Sequence, residues 1–112
     1  MAKVEIKMGE IGGGGNMTFN SAESISAAYN SWTNTSVPVA DITAKSKVIV
    51  TLSYTSVFLT ACWSIENGIA TLDFEPSSYA NNLQIDLTST YLQVKQIWNT
   101  SSYVVSVVTY TG

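Results

Sequence analysis

Histidine is absent from this chain, and cysteine occurs once. Without histidine the commonest general base and the commonest transition-metal ligand are missing, which excludes Ser-His and Cys-His nucleophile systems. The lone cysteine, Cys62, cannot form a disulfide within the chain, and we expect it to be a half-buried small side chain in a strand. These gaps favour a protein that is not an enzyme, with no metal site and no cofactor.

Charged residues are also scarce, at 12% of the 112 residues, and the formal net charge is −3 with five lysines and no arginine. A chain without a basic stripe is poorly suited to phosphate contacts, so we expect no nucleic-acid partner. No apolar run is long enough to cross a bilayer, and the start of the chain alternates charged and apolar residues instead of forming a signal peptide. The sequence therefore predicts no membrane insertion and a cytoplasmic protein, unless the protein belongs to a virion.

Hydrophobic residues make up 46% of the chain, and its polar residues are mostly Ser, Thr, Asn and Gln. The first property predicts a folded chain, and its length fits one domain. Hydroxyl and amide side chains suit extended strands with a solvent-facing side better than they suit helices. The composition thus favours the all-β class.

Asn67-Gly68 is the strongest local signal, because both residues accept the positive φ angles of a two-residue hairpin turn. In the resulting register Trp63 pairs with Leu72, and Cys62 pairs with Asp73. Strand alternation then places a set of apolar side chains on one face. This set is Ala61, Trp63, Ile65, Ala70, Leu72 and Phe74.

Further strands are predicted on both sides of this hairpin. Residues 48–54 alternate with period two, and residues 83–87 do the same. Residues 91–98 and 103–110 predict a second hairpin with a four-residue loop, in which Trp98 lies opposite Tyr103. Residues 21–29 fit either a helix or a strand, and the poor helix formers behind them favour the strand.

The start of the chain predicts a separate element. Residues 3–8 alternate as a half-exposed strand, and Gly12 to Gly15 form a run with great backbone freedom. We therefore expect an N-terminal arm at 1–11, a glycine hinge at 12–15 and an antiparallel, jelly-roll-like β-sandwich at 16–112.

Aromatic residues provide the candidate ligand site. Trp63 is expected in the core, whereas others lie in or beside loops rich in Asn, Ser and Thr. A flat aromatic ring beside amide and hydroxyl groups suits a neutral sugar, which stacks through its C–H face and hydrogen-bonds through its hydroxyls. The alternative is that these rings only cap the ends of the core. The candidates are Trp32, Trp98 and Tyr103 for stacking, and Asn34 and Asn99 for hydrogen bonds.

An acidic pair is a second candidate site. Asp73 and Glu75 would project from the same face of a strand, as a hydrolase dyad or a Ca²⁺ site requires. No calcium-loop pattern is present, and surface carboxylates next to a loop are the more ordinary interpretation. We favour that interpretation.

The layout resembles that of small structural proteins encoded in bacteriophage and prophage tail modules. The features that carry the resemblance are the charged start through Gly9-Glu10-Ile11, the glycine hinge followed by Asn16, the all-β remainder, and the strand Val104 to Tyr110. The resemblance implies a tail-fibre tip, head-fibre or accessory adhesion module. Such modules are commonly homotrimers whose distal β domain contacts a polysaccharide or protein of the host surface.

Together these observations predict a non-enzymatic structural or binding module of a phage or prophage virion. The alternative is a cellular β-sandwich that binds carbohydrate or another protein. We also expect self-association, most simply as a trimer in which the N-terminal arm adds a strand to a neighbouring subunit. The competing arrangement pairs the arm within its own chain.

Overall fold

The protein is an antiparallel β-sandwich, which confirms the predicted fold class. The computed structural model describes residues 5–7, 16–76 and 79–112. Within these ranges no helix is long and apolar enough to cross a membrane. The strands are β1 (Glu5–Lys7), β2 (Asn16–Ala27), β3 (Thr33–Pro38), β4 (Lys45–Tyr54), β5 (Val57–Glu66), β6 (Ile69–Phe74), β7 (Leu83–Asp86), β8 (Tyr91–Gln96) and β9 (Tyr103–Thr111).

The strands form two sheets of unequal size. The large sheet has six strands in the order β1-β2-β9-β4-β5-β6, and the small sheet has three in the order β3-β8-β7. Every strand pair is antiparallel. Because β9 lies between β2 and β4, the last described strand occupies the middle of the large sheet.

The core lies between the two sheets. Strand alternation sends one side chain in two inward, and the inward set is almost wholly aliphatic. Trp63 is buried there, as predicted. The buried hydrophobic cluster consists of Ala27, Val37, Ile42, Val48, Val50, Leu52, Leu59, Ala61, Trp63, Ile65, Leu83, Leu92, Val94, Tyr103, Val105 and Val107.

The β5–β6 hairpin has the predicted turn, with φ of 53° at Asn67 and 78° at Gly68. Its register is as predicted from the turn as far as the Trp63–Leu72 pair. Beyond that pair the register shifts, so Cys62 lies opposite Phe74 and not opposite Asp73. The predicted inward position of Phe74 is therefore wrong, and its side chain is 57% exposed.

Residues 21–27 belong to β2, which confirms the strand over the helix for most of the uncertain segment. At the other end of β2, Met17 lies opposite Ile6 of β1, so β1 pairs within its own chain. The predicted glycine hinge at 12–15 lies outside the described residues.

The second predicted hairpin is wrong. Strand β8 pairs with β3 and β7 in the small sheet, while β9 pairs with β2 and β4 in the large sheet. The loop after β8 therefore crosses from one sheet to the other. Both strands have an apolar inward face, and that pattern fits two strands facing each other across a core as well as it fits two neighbours in one sheet.

Candidate functional site

The structure divides the predicted site residues between two places. Trp98, Asn99 and Tyr103 lie at the crossing between β8 and β9, whereas Trp32 and Asn34 lie at the start of β3. In the described part of the chain, no hydrogen bond or ring contact joins the two groups. The five residues therefore do not form one site.

The first place is an aromatic cluster at one end of the sandwich. The ring centroids of Trp98 and Tyr103 are 4.9 Å apart, and those of Tyr54 and Tyr103 are 5.2 Å apart. Tyr103 is buried, and Trp98 is partly buried against the core. The Oδ1 atom of Asn99 accepts a hydrogen bond from the next backbone N–H, that of Thr100, at 2.8 Å. This cluster matches the core-capping alternative.

A buried amide holds the loop of this cluster. Gln96 is completely buried at the end of β8, and its Nε2 donates to the carbonyl oxygen of Ser101 at 2.8 Å. The same nitrogen also lies 3.3 Å from the carbonyl oxygens of Ala27 and Asn99, and Oε1 accepts from the backbone N–H of Trp98 at 3.0 Å. One side chain therefore bonds to backbone groups of two segments, the end of β2 and the loop between β8 and β9.

The second place is the outer face of the small sheet, meaning the side chains that point away from the core. Val94 and Gln96 of β8 are buried, so Lys95 between them points outward by alternation. Its ammonium lies 4.6 Å from the ring centroid of Trp32, which is a cation–π distance. The Trp32 side chain is 41% exposed.

Polar side chains continue this face across the three strands. Asn34 of β3, Gln93 of β8 and Asp86 of β7 occupy one row of the register. Nε2 of Gln93 donates to Oδ1 of Asn34 at 2.7 Å. Among the described residues no acceptor bonds to the Asn34 amide N–H groups, so these can donate to a ligand. Oδ2 of Asp86 accepts from the hydroxyl and the backbone N–H of Thr88, at 2.7 and 3.1 Å. The face thus combines one exposed ring with hydrogen-bond donors and acceptors.

Sequence reasoning missed a polar cluster on the outer face of the large sheet. Lys47 of β4 is 1% exposed, and its ammonium lies 2.6 Å from Oδ2 of Asp73 on β6. The hydroxyl of Ser64, on β5 between them, accepts from Lys47 and donates to Asp73. A cavity of about 440 Å³ lies beside this cluster, near the β5–β6 turn.

This cluster does not have the arrangement of an activated nucleophile. A lysine that acts as a base must accept the proton of its nucleophile, yet the Lys47 nitrogen donates to both the Ser64 hydroxyl and the Asp73 carboxylate. The Ser64 hydroxyl donates its proton to the Asp73 carboxylate, which is already paired with Lys47. We interpret the cluster as an ion pair that joins three strands.

The surroundings of Cys62 disfavour its thiolate form. Burial raises the pKa of the Cys62 thiol above its ordinary value; the Lys47 ammonium lowers it by less, and the Asp73 carboxylate adds a smaller increase. A thiol with a raised pKa carries little nucleophilic thiolate near neutral pH. Asp73 and Glu75 also serve separate contacts, because Glu75 accepts from the backbone N–H of Asn81 at 2.8 Å.

Comparisons with protein-family models, with curated proteins and with solved structures found no match. The candidate site is therefore chosen on geometry. Within the described ranges, the outer face of the small sheet is the place where two predicted site residues, Trp32 and Asn34, share an exposed surface with polar partners.

Proposed function

We propose that this chain is a non-enzymatic module that binds a glycan on the outer face of the small sheet. The observation that carries the proposal is the exposed Trp32 ring next to the Asn34–Gln93 amide pair. An indole ring offers an apolar surface to the C–H face of a pyranose, and amide groups pair with its hydroxyls. Asn34 and Gln93 lie on paired strands and Trp32 directly precedes β3, so little ordering remains to be done on binding.

Trp32→Ala is expected to weaken glycan binding by at least about tenfold, since one central aromatic contact commonly contributes about 2 kcal/mol to an interface. The measurement is a glycan array followed by titration of the best ligand. Phe58→Ala is the matched control, because Phe58 is 66% exposed on the large sheet and should leave binding unchanged. Binding that survives Trp32→Ala but is lost in Trp98→Ala would move the site to the aromatic cluster.

We also propose a virion as the setting of this module, with a cellular carbohydrate-binding or protein-interaction domain as the alternative. Support for the virion comes from the resemblance in layout to phage tail-module proteins. Genomic neighbours separate the two settings: tail, portal or lysis genes favour the virion, and glycoside hydrolase genes favour the cellular domain.

Self-association as a trimer stays a prediction. The large sheet ends at β1 and β6, and the exposed side chains of β6 include Ile69 and Phe74. Light scattering on the full chain should give a mass above that of the monomer, and a chain that starts at Asn16 should lose the oligomer if the arm makes the contact. A full-length monomer would end the idea, whereas an oligomer that survives the deletion would exclude the arm as its cause.

A further inference from the structure

We infer that the glycan bound at Trp32 is anionic, and that Lys95 selects it. This inference rests on the proposed glycan-binding function and adds the chemical class of the ligand. The required group is a carboxylate or sulfate on a pyranose ring. The inference follows from where the Lys95 ammonium lies and from what surrounds it.

The first step concerns the partners of Lys95. No carboxylate of the described residues lies within ion-pair distance of its ammonium, in contrast to Lys47, which is paired with Asp73. On the neighbouring strand β7, the residue directly opposite Lys95 is the uncharged Gln84. The Lys95 charge is therefore held at the exposed ring by a cation–π contact alone, and it is available to a ligand anion.

The second step concerns the Trp32 ring. With the ammonium 4.6 Å from the ring centroid, one face of the indole is already occupied. A neutral sugar that stacks on that face must displace the ammonium and lose the cation–π attraction. An anionic sugar also displaces the ammonium, but it then forms an ion pair with it, and this ion pair compensates for the lost cation–π contact. The contact thus acts against neutral sugars and in favour of charged ones.

The third step concerns the carboxylates at this face. Glu23 of β2 reaches the exposed Ser36 of β3, and its Oε1 and Oε2 accept from the backbone N–H and the hydroxyl of Ser36 at 2.7 and 3.0 Å. Asp86 lies opposite Gln93 and not opposite Lys95, so it is offset by two residues along the strand. Its Oδ2 already accepts two hydrogen bonds from Thr88. Both carboxylates at this face, Asp86 and Glu23, therefore already accept two hydrogen bonds from the protein.

The test uses the full chain on an array of neutral, uronic-acid, sialylated and sulfated oligosaccharides. The best carboxylated ligand is then titrated beside its methyl ester, which keeps the ring and linkage but removes the charge. We expect the acid to bind about two- to fivefold more tightly than the ester at low salt, the size of one exposed ion pair, because both ligands displace the ammonium from the ring. Added NaCl should reduce the ratio, because exposed charges are screened.

Lys95→Gln should bring the ratio of acid to ester close to one, while binding of the ester stays the same or improves. Lys45→Gln is the matched control, since it removes the same charge from the large sheet and should keep the preference. If the array shows only neutral ligands, or if acid and ester bind equally to the unaltered chain, the inference is overturned and the proposed function stands. Sulfated ligands alone would keep the anionic class and exclude the carboxylate. No binding to any oligosaccharide would overturn the proposed function itself.

Discussion

Asp73→Ala is expected to lower the free energy of unfolding by about 3 kcal/mol, because it leaves the Lys47 ammonium buried without its counter-charge. Lys47 is 1% exposed, whereas the Asp73 side chain is 18% exposed. The two partners should therefore behave differently. Lys47→Met leaves a carboxylate that water can reach, and we expect it to cost about 1–2 kcal/mol, the size of a lost hydrogen bond to a charged group.

Urea unfolding followed by tryptophan fluorescence measures both changes. Asp41→Ala is the matched control, since Asp41 is an exposed carboxylate and should change stability by less than about 0.5 kcal/mol. Adding Lys47→Met to Asp73→Ala should recover part of the loss, because the double variant buries no unpaired charge. A cost below about 1 kcal/mol for Asp73→Ala would contradict the prediction and would mean that Lys47 relaxes into solvent through the neighbouring cavity.

Gln96→Leu is expected to cost about 3 kcal/mol, because an apolar side chain of similar size removes the partner of several backbone groups, among them the buried carbonyl oxygen of Ala27. These groups include the carbonyl oxygen of Ser101 and the N–H of Trp98, which bond to opposite ends of the amide. The loss should be accompanied by a changed emission spectrum, since the loop that carries Trp98 is no longer held.

Gln84→Leu is the control for this substitution. Gln84 is half-buried on the outer face of the small sheet and makes one hydrogen bond, to the carbonyl oxygen of Asn81 at 3.1 Å. Its replacement should cost less than about 1 kcal/mol. Coincident unfolding curves for the two variants would show that water replaces Gln96 at no cost and that its hydrogen bonds do not set the loop.

The sequence predicts local pairing well and distant pairing poorly. The Asn67-Gly68 turn and the alternation of β5 and β6 are encoded within a few residues, and the register is correct as far as Trp63. The shift after that pair has no signal in the local sequence, and neither does the ion pair of Asp73 with a lysine from a strand that is not its neighbour. That ion pair joins residues separated by a whole strand and two turns.

The same limit applies to the candidate site. Trp32 and Asn34 are recognisable from their residue types, but Gln93 and Lys95 acquire a role only through the pairing of β3 with β8. Strand β3 was not predicted, since residues 30–35 have little apolar alternation. Sheet partners from distant parts of the chain are therefore the missing information, and one sequence does not contain a local signal for them.

The position of β9 in the middle of the large sheet has a consequence for the order of events during synthesis. Strand β9 joins β2, whose other neighbour is β1, to β4, whose other neighbour is β5, so the two halves of the large sheet stay apart until Thr111 has left the ribosome. The pairing of Thr18 with Thr111 closes a loop that spans most of the chain. We therefore expect the large sheet to close only after translation of this segment, on the millisecond-to-second scale of β proteins dominated by non-local contacts. A nascent chain stalled before Tyr103 would expose the facing edges of β2 and β4, and it would depend on chaperones until β9 arrives.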